Sequence, residues 1–426
     1  MKWHLAPISC GLALLGLIGI ASPSHAQSTA APINNHPLVP TSWSFQCPPS
    51  SVCGTSGNWL PTVSEPGTNR LWNAGTEWYI LQPASGVYNW TNLDTWLDLV
   101  ATHQPTAVMY TFGHTPCFIA SVGCGSNPWS NSPPADLGAK GGSRTFSAFV
   151  TALVKHCSPA GNCVANYIKY WEMWNEANHT PYWSGTATQL YQMFKPVIAI
   201  IRANVPGAKI LTPPSAGGAQ WAASWINLEN AHGRLSDFYS FHQYLWDQEP
   251  EQRMSVVVQM IKAKNDNGWT NVPWLVSETN YDVNTYACSS QFTPEDCEGQ
   301  LVRWHVLLYA YQGGTGGADL VGWYNWPTII GTGYDTFYYT MMQWLSGSTF
   351  TASCTNNGTI YTCPLTESNG ANALIVWNTA GSSRYTPNAQ YVNYRKFNGT
   401  YGGAKVSISP QQPTAIGVIP IMFQSK

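Results

Sequence analysis

The chain has 426 residues, only 9% of them charged, with 19 Lys plus Arg and a formal net charge of −2. So sparse and balanced a charge argues against nucleic acid, which demands a basic face, and disfavours a highly anionic polysaccharide. The 21 Trp and 22 Tyr suit the C–H faces of neutral sugar rings instead, although many must serve simply as core.

Residues 1–26 read as a secretory signal peptide. Lys2 opens it, 8–21 form an apolar stretch too short for a comfortable membrane span, and Ser24-His25-Ala26 is a small-x-small cleavage site. The mature chain is expected to begin near Gln27 as a secreted monomer with no membrane segment. Residues 27–40 are a polar, Pro/Ala-rich lead-in. Of the 11 cysteines, Cys10 leaves with the signal. The remainder pair locally: Cys47 with Cys53, Cys117 with Cys124, Cys157 with Cys163, Cys288 with Cys297 and Cys354 with Cys363. An even count, short spacing and an exported chain predict disulfides. The gaps are too long and too scattered for zinc.

From 41 to 348, strand-like and helix-like runs alternate. Strands are predicted at 43–46, 70–75, 107–112, 167–175, 209–212, 238–243, 274–277 and 320–324. Amphipathic helical segments fall at 93–102, 145–155, 188–203, 251–264, 298–311 and 335–345. This alternation predicts an α/β fold, a (β/α)8 TIM barrel. From 349 to 426 the pattern becomes short β-type runs between Asn, Gly and Pro turns. A small, β-sandwich-like antiparallel accessory domain docked on the barrel is expected there.

Two carboxylates stand out. Glu176 follows the aromatic run 170–175, and Glu278 follows the apolar run 274–277. In a barrel, side chains at the C-terminal strand ends gather at one mouth. Counted from 43–46, these are the fourth and seventh strands, on opposite sides of that mouth. Two carboxyls facing each other there suit hydrolysis of a glycosidic bond with retention, one protonating the leaving oxygen and the other attacking the anomeric carbon. Neither a metal nor an organic cofactor is needed. Glu172, four residues before Glu176, is expected to point into the barrel below the site as half of a buried pair.

The Asn175-Glu176 pair and the later Glu278 resemble clan A of the retaining glycoside hydrolases. The runs RLWNAGTEW at 70–78, GVYNW at 86–90, YTFGHTP at 110–116 and WEMWNEAN at 171–178 resemble family 39 and its relatives. A proline usual after Asn-Glu is Ala177 here, a change in the loop rather than in the chemistry. The resemblance implies that Glu176 is the acid/base, its pKa raised, and that Glu278 is the nucleophile. It implies that Asn175 donates to the sugar 2-hydroxyl and that Arg70 sits beside the nucleophile and keeps it charged. His242 and Tyr244, ending the sixth strand, are candidates to orient Glu278 or a substrate hydroxyl. Trp323 or Trp326 would floor the subsite of the reacting sugar, and His114 would touch sugar hydroxyls. The implied activity is double-displacement hydrolysis of a β-linked, mainly neutral poly- or oligosaccharide. A transglycosylase built on the same residues is the nearest alternative, and a glycan-binding protein on a dead barrel the furthest.

Overall fold

Short, largely buried runs build the parallel sheet. Thr68–Leu71, Ala107–Thr111, Ile168–Glu172 and Lys209–Leu211 pair in that order, each parallel to the next. A parallel bridge from Leu211 to Phe238 carries the sheet on to Tyr239–His242, Trp274–Thr279 and Val321–Trp323. The computed structural model describes residues 68–103, 107–138, 141–282, 284–324, 333–345, 347–397 and 403–425. The strand expected at 43–46, the signal peptide 1–26 and the lead-in 27–40 lie outside the described residues.

Helices follow the strands as a TIM barrel requires: Thr91–His103, Arg144–Lys155, Ala187–Asn204, Ala219–His232, Pro250–Lys264, Pro294–Ala310 and Tyr334–Leu345. Alternation along each strand splits the core in two. Tyr110, Trp171, Phe241 and Val276 face outward into the core shared with the helices. Met109, Leu211, Leu275 and Leu320 face inward and plug the barrel. The helix Ala219–His232 escaped the sequence pattern because its buried set, Ala222, Trp225, Ile226 and Glu229, mixes small, apolar and charged residues. The buried Glu229 is satisfied by Trp225 and by Leu235 and Ser236 beyond the helix end.

The C-terminal strands form an antiparallel sheet, with Asn372–Asn378 paired to Ile360–Thr366 on one side and Ile421–Gln424 on the other. Ile375, Trp377 and Met422 join the barrel core, while Leu374, Val376 and Phe423 form a separate cluster on the opposite face. The sheet is therefore anchored to the barrel by one face. Trp377 Nε1 donates to Glu251 Oε1 at 2.7 Å, and Glu251 is paired with the fully buried Arg303. At Gly299 the helix Pro294–Ala310 passes so close that a Cβ would lie 2.6 Å from the Val418 carbonyl oxygen.

Four of the five expected disulfides are present, joining Cys117 to Cys124, Cys157 to Cys163, Cys288 to Cys297 and Cys354 to Cys363. The fifth does not join them: Cys47 and Cys53 both lie outside the described residues, so the bridge expected between Cys47 and Cys53 stays an expectation from sequence spacing. Among the described residues, no helix is long and apolar enough to cross a membrane.

Candidate active site

Above the apolar plug, the next inward layer is polar and centred on Arg70, which is fully buried at the second expected strand. Its Nε and Nη2 donate to Glu172 Oε2 at 2.9 and 2.7 Å. Nη1 donates to Glu278 Oε2 at 2.6 Å, and Nη2 to Asn175 Oδ1 at 2.7 Å. Burial alone would lower the pKa of this guanidinium, but the two carboxylates hold it above its ordinary value. Glu172 also accepts from Thr111 Oγ1 at 2.8 Å and Ser240 Oγ at 2.9 Å. Burial pushes its carboxyl up, but Arg70, with His242 and Ser277, prevails, so Glu172 sits below the usual carboxylate range. It is the buried structural partner that strand alternation predicted.

The strand expected over 167–175 ends at Glu172, and the chain then leaves the sheet through a strained turn. Trp174 at φ 74° and Glu176 at φ 40° both occupy the left-handed region. For non-glycine residues this costs about 1–3 kcal/mol each, and such strain concentrates at functional sites. The Trp174 indole, buried and donating to the Tyr182 carbonyl at 2.9 Å, fixes the turn. Glu278 reaches the mouth by a different device. Ser277 already faces inward, bonded to Ser240, so strict alternation would turn Glu278 outward. The pairing with Tyr239–His242 slips by one residue here, with Phe241 opposite Val276 but His242 opposite Glu278. Such a bulge re-aims a side chain, and Glu278 joins Ser277 on the inner face.

The two carboxylates meet. Glu176, Glu278 and His242 each present a polar atom within 4.8 Å of the others. Both glutamates are largely buried yet keep 8% and 6% exposure. Tyr244 donates its hydroxyl to Glu278 Oε1 at 2.5 Å. His242 Nε2 lies 3.3 Å from Arg70 Nη2, which can only donate, so Nε2 accepts and Nδ1 carries the hydrogen. Nδ1 then donates to Glu176 Oε1 at 2.8 Å. Thus His242 orients Glu176, and Tyr244 orients Glu278. Burial pushes the Glu176 carboxyl up, but the His242 hydrogen bond and nearby positive charge prevail, leaving it below its ordinary value. The raised pKa expected of the acid is not present in the free site. These three residues have the donor types of a cation site. Arg70 holds a fixed positive charge against two of them and Nδ1 is protonated, so the set does not fit a resident metal.

The remaining candidates separate. Trp323 is fully buried, packed against Tyr281 and His305 on the helix side of the sheet at centroid distances of 5.0 and 5.6 Å. It is core and not a sugar floor. Parity explains the correction: Leu320 faces inward, so Tyr324, an even number of residues on, shares its face and Trp323 does not. Trp326 lies outside the described residues. His114 is stacked on Trp129 at 3.9 Å, and both its ring nitrogens are buried without a hydrogen-bond partner among the described residues. Burial pulls its pKa down to about 4. It packs beside Trp72 and Tyr182 at centroid distances of 5.4 and 5.8 Å, and its contact with sugar hydroxyls stays an expectation from the sequence. The mouth itself is lined by a cluster of which only Tyr244 was singled out in the sequence: Trp72, Tyr244 and Tyr324, with Tyr182 and Tyr286 against them. Asn73 Nδ2 donates to the Tyr324 hydroxyl at 2.9 Å and positions it.

Comparison with known proteins places this architecture. No protein-family profile and no curated protein matches the chain. Solved structures do. A family 39 glycoside hydrolase from Bacteroides cellulosilyticus WH2 superposes with a TM-score of 0.59 at 15% identity, over 85% of this chain and 76% of that one. A family 30 subfamily 8 xylanase from Clostridium acetobutylicum gives 0.59 at 14%, over 93% and 97%. A family 51 arabinofuranosidase from Xanthomonas axonopodis pv. citri gives 0.54 at 9%, over 94% and 98%. At such identities the likeness is one of fold. The chain shares the fold of these family 39, 30 and 51 structures, and that likeness does not single out family 39.

Proposed function

We propose that the protein is a retaining glycoside hydrolase that cleaves a β-linked, mainly neutral glycan through a covalent glycosyl–Glu278 intermediate. The observation that carries this reading is the approach of the Glu176 and Glu278 carboxyl oxygens to within 4.8 Å across an aromatic mouth. Retaining enzymes hold their carboxyls about 5–5.5 Å apart, while inverting ones leave wider room for a water. Glu278 is the nucleophile because Arg70 and Tyr244 each donate to one of its carboxylate oxygens and fix its direction. Glu176 is the acid/base. Its Oε1 is occupied by His242, so the proton delivered to the leaving oxygen sits on Oε2. A bound sugar excludes the remaining water from the pair and adds to the burial penalty on Glu176, which supports protonation when it is needed. Asn175, with Oδ1 taken by Arg70, keeps its Nδ2 to donate to the 2-hydroxyl of the sugar. The exported, disulfide-bonded character of the chain fits work on extracellular polymers.

Glu278→Ala should abolish turnover, and added azide should then yield a glycosyl azide of inverted configuration. Glu176→Ala should lose about 10²–10⁴-fold on natural substrates and far less on aryl glycosides with good leaving groups. Equal losses on both substrate types would remove Glu176 from the acid role.

A further inference from the structure

Among the described residues, Trp246 is the one Trp, Tyr or Phe side chain in open solvent, with 45% of its surface exposed. Its position is close to the chemistry. It follows Tyr244 by two residues, so the two Cα atoms lie within about 7 Å, and the Tyr244 hydroxyl is 2.5 Å from Glu278. Its backbone is also unusual. Trp246 and Asp247 adopt φ of 53° and 58°, consecutive left-handed conformations in residues that do not favour them.

The strained turn is held in place by the segment that follows the nucleophile. Leu245 N donates to the Asn280 carbonyl at 3.0 Å and Trp246 N to the Tyr281 carbonyl at 2.8 Å. Gln291 Nε2, in the loop closed by the Cys288–Cys297 disulfide, donates to the Asp247 carbonyl at 2.7 Å. A glycine or asparagine pair would make this turn without strain, and burying the indole would stabilise the fold. The chain does neither. Strain tied down at several points beneath an exposed indole, two residues along the chain from Tyr244, is the arrangement of a preorganised contact. The exposed Asp247 and Gln248 stand beside it as hydrogen-bonding groups for the edge of a ring.

We propose that Trp246 is the stacking platform of an outer subsite, receiving a neutral sugar ring of the same glycan chain whose neighbouring unit occupies the mouth. Resting on the hydrolase reading above, this makes the enzyme selective for chains over single glycosides. The test compares wild type, Trp246→Ala and Trp246→Phe on p-nitrophenyl monoglycosides and on β-1,4-linked xylo- and gluco-oligosaccharides from dimer to hexamer. Trp246→Ala should lose about tenfold or more in kcat/KM on the hexamer, chiefly through KM, and stay within about twofold on the monoglycoside. Trp246→Phe should recover part of the loss. Equal losses on both substrates, or none on either, would overturn the proposal. So would unchanged kinetics with a concentration-dependent dimer that Trp246→Ala abolishes, since a second copy would then be the occupant. If wild type cleaves none of these substrates, the hydrolase reading fails by itself. Calorimetric binding of the hexamers then decides the subsite, and absent or unaltered binding in Trp246→Ala overturns it.

Discussion

Glu172→Gln removes a buried charge while keeping the shape of the side chain. Glu172 Oε2 accepts two bonds from Arg70 and one from Thr111, and a glutamine carbonyl can retain all of them. The new amide can donate to Ser240 Oγ, provided that hydroxyl turns its own hydrogen to Ser277 Oγ at 2.8 Å. What is lost is one of the two carboxylates around a fully buried guanidinium. Breaking a buried pair costs about 3–5 kcal/mol. Because Arg70 keeps Glu278, the lower end applies, about 3 kcal/mol at neutral pH. The pH dependence follows from the direction of the Glu172 shift. A carboxyl depressed in the folded state binds its proton in the unfolded chain first, so its stabilisation is full above the unfolded value and lost as pH falls towards the folded one. Below about pH 4.3 the gap between wild type and Glu172→Gln should therefore close, by about 1.4 kcal/mol per pH unit. Urea unfolding from pH 7 to pH 3 measures both effects. Equal stability at pH 7, or a gap indifferent to acid, would refute the assignment of Glu172 as the structural counter-ion of Arg70.

Tyr244→Phe removes the hydroxyl that donates to Glu278 Oε1, a hydrogen bond to a charged group worth about 1.5–3 kcal/mol. Steady-state kinetics should show kcat lower by about 10–100-fold with little change in KM. Trp323→Ala should destabilise the fold by about 3–5 kcal/mol in denaturant titration without altering KM, whereas Tyr324→Ala should raise KM. The reverse pattern would restore Trp323 as the sugar floor. Trp377→Phe deprives the buried Glu251 of a donor and should cost about 1–3 kcal/mol in thermal unfolding, with kcat/KM unchanged.

Much of this was legible in the chain because strand ends in a barrel converge. Glu176, Glu278, Arg70, Asn175, His242 and Tyr244 were expected at one mouth, and the structure brings them together. Glu172 was assigned downward by alternation alone. What the pattern hid was local backbone geometry. Nothing in the run 274–279 announces the pairing slip that turns Glu278 inward after Ser277, because a bulge depends on the neighbouring strand. The left-handed Trp174 and Glu176 carry no glycine to mark their turn. Trp323 misled because its residue type suits a sugar floor while its parity along the strand does not. The raised pKa expected of Glu176 ignored His242, whose tautomer is set by Arg70 through a contact between residues 172 positions apart.

The proposed double displacement at Glu176 and Glu278 would fix the stereochemistry of the first product. Proton NMR of a β-glycoside digest, recorded before mutarotation equilibrates the sugar, reads that configuration directly. The β-anomer should appear first and decay towards the equilibrium mixture. An initial α-anomer would show single-displacement attack by water and would contradict Glu278 as a nucleophile.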